Sequence, residues 1–215
     1  MEKTGNTPVK KRPLTPFQIT MGALYVALFA LASNVPFLSS IQFIPGVAIT
    51  LQIFLVAMMG LTLGLKGGMV TYIAVLVLTF CGLPLMSGGR GGPAVFVGPT
   101  SGYIYGMFFI VLFLGLYSSR CMDRLIRKKV WGMSVHVPVS FALGMLGVLF
   151  DYLCGSVGLA LSAGHPLSEM PALLLSNLAF LPADIIKIGC ASVLSLVLFA
   201  KPALVRMLKL NQVRT

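Results

Sequence analysis

Residues 47–83 read VAITLQIFLVAMMGLTLGLKGGMVTYIAVLVLTFCGL, and this stretch decides the fold. It holds two apolar runs, 47–65 and 68–83, with Lys66 as the single charged residue of the stretch. A helix that crosses the ~30 Å hydrocarbon core of a bilayer needs about 20 apolar residues. The stretch therefore predicts two membrane-spanning helices joined by a short turn at Lys66.

The composition of the whole chain agrees with a membrane protein. Of its 215 residues, 57% are hydrophobic and only 10% are charged, and the mean hydropathy is +0.96. Soluble domains carry about 25% charged residues, and disordered chains have fewer large apolar side chains. A transmembrane β-barrel would show alternating segments of about 10 residues rather than continuous apolar blocks. The sequence predicts an all-α integral membrane protein.

Breaks of proline, glycine and charge divide the chain into six predicted transmembrane helices, which form one domain over residues 1–215. Their predicted ranges are 17–37, 47–65, 68–83, 101–117, 138–162 and 174–199. The connections are a basic cytoplasmic tail (1–16), an external loop rich in glycine and proline (84–100), a basic cytoplasmic loop (118–134) and a second basic tail (201–215). We interpret the first run as a span, because about 20 apolar residues exceed the ~7–15 of a signal-peptide core.

The basic residues predict the orientation of the helices. Every Lys and Arg except Arg90 and Lys187 falls in residues 1–16, at Lys66, in 118–134 or in 201–215. Cytoplasmic loops carry an excess of Lys and Arg, so both termini are expected in the cytoplasm. Anionic lipid headgroups, and not nucleic acid, are then the expected counterpart of the formal net charge of +11.

Three ionisable residues lie inside predicted spans. A charge at the centre of a lipid-facing helix costs at least ~2.5–3.5 kcal/mol, so Asp151, Asp184 and Lys187 should face protein, a cavity or one another. Asp184 and Lys187 are three residues apart and share a helix face, which fits either an internal salt bridge or a pair that binds a ligand. For Asp151 we favour a structural role. Pro182 either kinks the last span or begins its helix.

The external loop combines many glycines and prolines with large apolar residues. Such a segment is not helical, and its apolar residues argue against a flexible tether. It is either a folded lid over an external cavity or a packed hairpin at the headgroups. The backbone at Gly91 could approach a ligand closely, and Arg90, the only external basic residue, could pair with a carboxylate.

Two further patterns concern partners and chemistry. Ala23, Ala27 and Ala30 form a stripe of small residues on the first span, suited to close helix packing within this chain or against another subunit. The four cysteines form no CxxC pair or Cys/His cluster, and there is no GxxxxGK[ST] nucleotide loop. We therefore predict no metal, no cofactor and no catalytic residue.

Four motifs together resemble the BioY family, which comprises the biotin-binding S components of energy-coupling factor (ECF) transporters. They are GLP at 82–84, GGRGG at 88–92, GPTSGY at 98–103, and NLAFLPAD at 177–184 followed by Lys187. The resemblance covers essentially the whole chain. Ser101 and Ala183 stand where the family usually has glycine, and these changes could alter affinity or loop geometry without changing the substrate class.

The resemblance implies a six-helix S-component bundle, multi-pass in the cell membrane of a prokaryote, that captures biotin from outside. It implies three partner subunits: a transmembrane coupling subunit, on which the face of Ala23, Ala27 and Ala30 would pack, and two cytoplasmic ATPases that supply the energy. The chain itself would be no enzyme, and biotin would be its ligand rather than a cofactor.

Carried over residue by residue, the resemblance implies that Arg90, Tyr103 and Asp184 contact biotin, with Lys187 nearby. Asp184 would accept hydrogen bonds from the ureido N–H groups. Phe96 and Tyr103 could cover the apolar surface of the ligand, and Gly91 belongs to the same predicted site. Either Arg90 or Lys187 would meet the carboxylate, and the sequence leaves that choice open.

Three alternatives remain at this point, one of which is a membrane scaffold with no ligand, in which the glycine loop would be mobile and unselective. An S component for a different vitamin would keep the fold and change only the pocket. An intramembrane enzyme could use Asp151 and Asp184 as a carboxylate pair, provided that the two lie within a few ångströms.

Overall fold

The structure is a computed structural model that describes residues 16–34, 41–44, 47–127, 131–164 and 166–199. The predicted tail at 201–215, and that at 1–16 except for its last residue, lie outside the described residues. The predicted fold class is correct in its main feature, since helices make up most of the described chain.

The described residues form six α-helices and one two-stranded antiparallel ribbon. The helices are α1 (Pro16–Asn34), α2 (Gln52–Phe80), α3 (Ser101–Arg127), α4 (Trp131–Ala163), α5 (Met170–Ser176) and α6 (Leu181–Phe199). The ribbon pairs β1 (Ile41–Ile44) with β2 (Val47–Ile49). Single 3₁₀ turns occupy Pro93–Phe96, Leu167–Glu169 and Asn177–Ala179. The ribbon was not predicted, and its second strand takes residues that were assigned to a span.

Helix α2 is a helical hairpin rather than one straight rod. Gly64 has φ +68° and ψ −172°, a backbone conformation that is essentially restricted to glycine. Gln52 at the start of α2 donates a 3.1 Å hydrogen bond to the carbonyl of Leu85, just beyond its end. A straight helix of this length would hold its ends about 40 Å apart. The two halves therefore run antiparallel, and the turn lies two residues before the predicted position at Lys66.

Five helices of the described residues are long and apolar enough to cross a membrane, with α2 counted once. Their apolar stretches are Pro16–Asn34, Gln52–Phe80, Ser101–Arg120, Ser134–Ser162 and Leu181–Leu198. The predicted loop at 118–134 is shorter than expected, because α3 continues to Arg127 and α4 begins at Trp131. The end of an apolar run shows where contact with the lipid hydrocarbon stops, but it does not show where the helix ends. The helix continues beyond that point because Arg and Leu are good helix formers.

Helices α3 and α4 pack closely through glycines. A Cβ atom on Gly158 would lie 2.6 Å from the Cα of Gly102, and one on Gly147 would lie 2.8 Å from the Cα of Ile110. Any side chain at these positions would push the helices apart. The pair therefore forms a tight wall along one side of the bundle.

The last predicted span begins later than expected. Residues 170–179 form the short helix α5 and a 3₁₀ turn, and α6 starts at Leu181 with Pro182 as its second residue. Proline is well suited to the first turn of a helix, where its missing N–H costs no hydrogen bond. Of the two roles open to Pro182, the structure shows the one that begins the helix. Asp184 consequently lies in the first turn of α6.

Candidate functional site

A cavity of about 310 Å³ lies at the end of the bundle where α2 starts and α3 begins. Its wall is made by residues around Gln52, by the segment from Met86 to Arg90, and by parts of α3, α4 and α6. Most of this wall is apolar, and its charged groups come from three separate parts of the chain: the 86–90 segment, α4 and α6.

The segment from Met86 to Arg90 is a tight turn that is fixed to the end of α1. Met86 and Arg90 exchange backbone hydrogen bonds of 3.0 and 3.1 Å, and Gly88 and Gly89 between them have positive φ angles. The amide of Gly89 donates to the carbonyl of Ser33 at 3.0 Å. The glycines of this loop thus supply the backbone conformations of the turn, and the turn places Arg90 at the cavity.

Arg90 is exposed on one side and lines the cavity on the other. Its Nε donates a 2.9 Å hydrogen bond to the carbonyl of Ser87. Within the described residues no carboxylate pairs with its guanidinium group. The terminal nitrogens of this side chain are therefore suited to an anionic group that enters the cavity.

Asp184 and Lys187 form an ion pair in the cavity wall. Lys187 Nζ lies 2.7 Å from Asp184 Oδ1, and the hydroxyl of Tyr152 donates a 2.6 Å hydrogen bond to Asp184 Oδ2. Asp184 is 1% exposed, so charged and hydroxyl donors take the place of water around it. Its position in the first turn of α6 adds the positive end of the helix dipole.

Tyr103 is oriented by a chain of hydrogen bonds between three helical segments. Its hydroxyl donates to Asn177 Oδ1 at 2.5 Å, and Asn177 Nδ2 donates to Ser156 Oγ at 2.8 Å. Gly155 on α4 leaves the space that the Tyr103 ring occupies. The ring is therefore held against the cavity by packing on one side and by a hydrogen bond at its tip.

Four of the six predicted ligand-binding residues line this one cavity: Arg90, Tyr103, Asp184 and Lys187. The other two, Gly91 and Phe96, do not line it. Gly91 packs against the backbone carbonyls of Gly82 and Leu83. The ring of Phe96 packs on Phe80, with centroids 5.9 Å apart. In the structure, Gly91 and Phe96 therefore contribute to the packing of the external loop.

Sequence reasoning missed several residues of the wall. Gln52 is 5% exposed and ties α2 to the 86–90 segment, and Tyr152 holds Asp184. A glutamine at the edge of an apolar run was an available signal for Gln52. A tyrosine inside a span gave no comparable signal. Asp151, to which we assigned a structural role, also lines the cavity.

The alanine stripe of α1 faces outward. Ala23 and Ala27 are exposed and Ala30 is half-buried, whereas Tyr25 and Phe29 on the other side of the helix are buried in the core. The described residues therefore make no use of Ala23 and Ala27 for packing inside the chain.

An apolar helical bundle with a partly open cavity of this kind is typical of a membrane protein that binds a small solute carrying both charged and apolar groups. The chain belongs to the BioY family, whose model matches residues 6–202. The resemblance drawn from the motifs is thereby confirmed.

Relatives and a solved structure agree with this assignment. The biotin transporter BioY of Rhizobium etli is 34% identical over 176 residues, which cover 82% of this chain and 89% of the relative. The biotin transporter BioY of Rhodobacter capsulatus is 33% identical over 180 residues, covering 79% and 86%. The crystal structure of an S component for biotin from an ECF-type ABC transporter superposes with a TM-score of 0.66 at 28% identity, over 86% of this chain and 92% of that one.

Proposed function

We propose that this chain takes part in biotin uptake as the biotin-binding subunit of an ECF-type transporter. The observation that carries the proposal is that one cavity gathers Arg90, Tyr103, Asp184 and Lys187, in a chain whose relatives are biotin transporters. The chain is a transport protein and not an enzyme, because the family to which it belongs is one of transporters.

The chemistry of biotin fits the groups that the cavity offers. The ureido ring has two N–H donors and a carbonyl, the thiophane ring is apolar, and the valerate chain ends in a carboxylate. Asp184 accepts from the ureido ring, and Ile104, Met107 and Phe180 supply apolar wall. A volume of about 310 Å³ lies at the small end of the ~300–1,000 Å³ range of ligand pockets, as suits a small vitamin.

Arg90 is the better candidate to hold the carboxylate of biotin. Lys187 already pairs with Asp184 at 2.7 Å, so its charge is balanced inside the wall. Arg90 has no such partner among the described residues, and a guanidinium group can bind a carboxylate with two parallel hydrogen bonds. We assign the carboxylate to Arg90 and the ureido ring to the end of the cavity at Asp184.

Calorimetry of the purified protein with biotin and with biotin methyl ester tests this proposal. Loss of a charge-assisted contact should weaken ester binding by about tenfold or more relative to biotin. Arg90→Gln should bind both ligands equally weakly, whereas the control Arg120→Gln, exposed at the other end of α3, should behave like the wild type. A wild-type protein that binds thiamine, riboflavin or folate, but not biotin, would support the alternative of a different vitamin.

We further propose six membrane crossings in a single domain, with both termini in the cytoplasm of a prokaryotic cell and the protein in its plasma membrane. The two antiparallel halves of α2 supply the second and third crossings. The turn at Gly64 meets the far end of α3, since the amide of Leu65 donates to Ser119 Oγ at 2.8 Å. This contact brings Lys66 close to the start of the basic stretch near 120, which supports the orientation proposed from the charge pattern.

The partners that we propose are a transmembrane coupling subunit and two cytoplasmic ATPases, in a lipid bilayer. The exposed face at Ala23 and Ala27, with Ala30 at its edge, lets a second helix approach closely and supports a contact with the coupling subunit. Biotin is the ligand that we propose, and the mechanism requires no cofactor in this chain.

A further inference from the structure

Asp151 is a buried carboxyl group that the packing of the bundle does not explain. It lies within the apolar stretch of α4 and is 1% exposed. Its Oδ1 atom has no hydrogen-bond partner among the described residues. A buried polar atom without a partner is costly, and an ionisable group inside a membrane protein is retained where it has a task.

The position of Asp151 limits where a partner can come from. Oδ1 lies beside Gly106 of α3, where a Cβ atom would approach it to 2.6 Å. The absence of a side chain at Gly106 therefore provides the space for the carboxyl group. The residue also lines the cavity, as do Asp184 and Lys187. The cavity therefore gives a ligand access to this residue.

Among the described residues, most of those with an unpartnered buried side-chain atom line this cavity. Within the parts of the chain that the structure describes, three buried side-chain oxygens have no partner: Thr100 Oγ1, Asp151 Oδ1 and Ser192 Oγ. Thr100 and Asp151 line the cavity, and Ser192 does not. Both oxygens of Asp184, in contrast, are already bonded. Among the described residues, Asp151 is the carboxyl group of this site that has an oxygen without any hydrogen-bond partner.

We infer that Asp151 accepts a hydrogen bond from one ureido N–H of bound biotin, while Asp184 accepts from the other. This inference rests on the proposed function. It makes Asp151 a specificity residue, because a ring that lacks one N–H leaves a buried carboxyl group unpaired. Sites that bond to a polar group of their substrate reject analogues without that group far more strongly than apolar pockets reject a missing methylene.

The test compares Asp151→Asn and Asp151→Ala with the control Ser192→Ala, which removes an equally unpartnered atom away from the cavity. Calorimetry is run with biotin and with two analogues methylated on one or the other ureido nitrogen. Wild-type protein should bind both analogues more weakly than biotin. Both Asp151 variants should bind biotin at least about tenfold more weakly. The Asp151 variants should bind the analogue methylated on the nitrogen that faces residue 151 as tightly as they bind biotin. They should still bind the analogue methylated on the other nitrogen more weakly than biotin.

Each other result contradicts the inference. Unchanged biotin affinity in the Asp151 variants would remove the residue from the site, and an equal loss for all three ligands would make its role structural. Thermal unfolding without ligand checks the fold of each variant. If both Asp151 variants unfold at a clearly lower temperature than Ser192→Ala, Asp151 has a structural role. If wild-type protein fails to bind biotin, the proposed function itself is wrong. Failure in the variants alone counts only against Asp151.

Discussion

At the scale of single residues, the site depends on how Asp184 is held. Tyr152 and Lys187 bond to its two oxygens, so the carboxylate is fixed in position before a ligand arrives. Each carboxylate oxygen can accept a second hydrogen bond, which leaves room for a ligand N–H. A site whose groups are already oriented spends little of its binding free energy on ordering them.

Replacing Asp184 by Asn should weaken biotin binding by about tenfold or more, because a hydrogen bond to a charged group contributes about 1.5–3 kcal/mol. Calorimetry measures the change. Glu169→Gln, in an exposed acid that does not line the cavity, is the matched control and should bind normally.

Asp184→Asn also leaves the partly buried Lys187 without its partner, and this unpaired charge weakens binding through the fold alone. The double variant Asp184→Asn, Lys187→Gln removes that unpaired charge. It should regain the thermal stability of the wild type without regaining affinity. Recovery of affinity in the double variant would show that Asp184 acts only by neutralising Lys187.

Residues of the cavity could be predicted from the sequence where a charged residue lies within an apolar run. Asp184 and Lys187 were found in this way, because a charge inside a span needs a partner or a cavity. Asp151 gave the same signal, but its spatial relation to Gly106 and to the cavity was not visible in the sequence. The sequence did not show that Phe96 ends a 3₁₀ turn, Pro93–Phe96, and packs its ring on Phe80; its contact with the ligand stays a prediction.

At the scale of elements, the break in α2 decides how the bundle is connected. Gly64 has a conformation that other residues reach only with strain, and a Cβ atom there would also lie 2.8 Å from Ser119 Oγ. The turn predicted at Lys66 lies two residues from the observed turn at Gly64. The prediction was this close because a lysine is costly in the middle of a membrane. It did not reveal which of the neighbouring glycines makes the turn, because Gly64, Gly67 and Gly68 are equally permissive.

Gly64→Ala should lower the stability of the protein by about 1–3 kcal/mol, the usual cost of a strained backbone conformation. The measurement is thermal unfolding in detergent, followed by tryptophan fluorescence or aggregation. Gly189→Ala is the control, since Gly189 lies inside α6 and a Cβ atom there would meet, among the described residues, only Phe141 at 4.0 Å. Equal stability of the two variants would mean that residue 64 does not adopt the positive φ.

At the scale of the whole molecule, the outward face of α1 separates binding of the ligand from assembly. Ala23→Trp or Ala27→Trp should abolish complex formation with the coupling subunit and leave biotin binding by the isolated chain unchanged. Both residues are exposed and neither lines the cavity. Co-purification and calorimetry give the two readings.

Leu161→Trp is the control for this pair, because Leu161 is 80% exposed on α4 and should tolerate a large side chain in both assays. A complex that survives both alanine substitutions would rule out this face as the contact. Loss of assembly together with loss of binding would indicate misfolding.

The proposed topology predicts that a fluorescent protein fused to either end of the chain is fluorescent in the cytoplasm. An even number of crossings places the two ends on one side, and the basic tails fix that side as the inner one. A reporter active only outside the cell, placed in the same two positions, should stay inactive. Opposite results at the two ends would mean an odd number of crossings.

The hydrogen bonds between α1 and the 84–90 segment have a mechanical consequence. The carbonyl of Ser33 accepts from Gly89, and Asn34 Nδ2 donates to the carbonyl of Pro84 at 2.7 Å, so the segment that carries Arg90 is bonded to the last turn of the same helix that carries Ala23 and Ala27. If a neighbouring subunit binds to that helix and tilts it, the C-terminal end of the helix is displaced. The 84–90 segment must then move with the helix or lose these hydrogen bonds. In either case the proposed biotin site loses the part of its wall that carries Arg90.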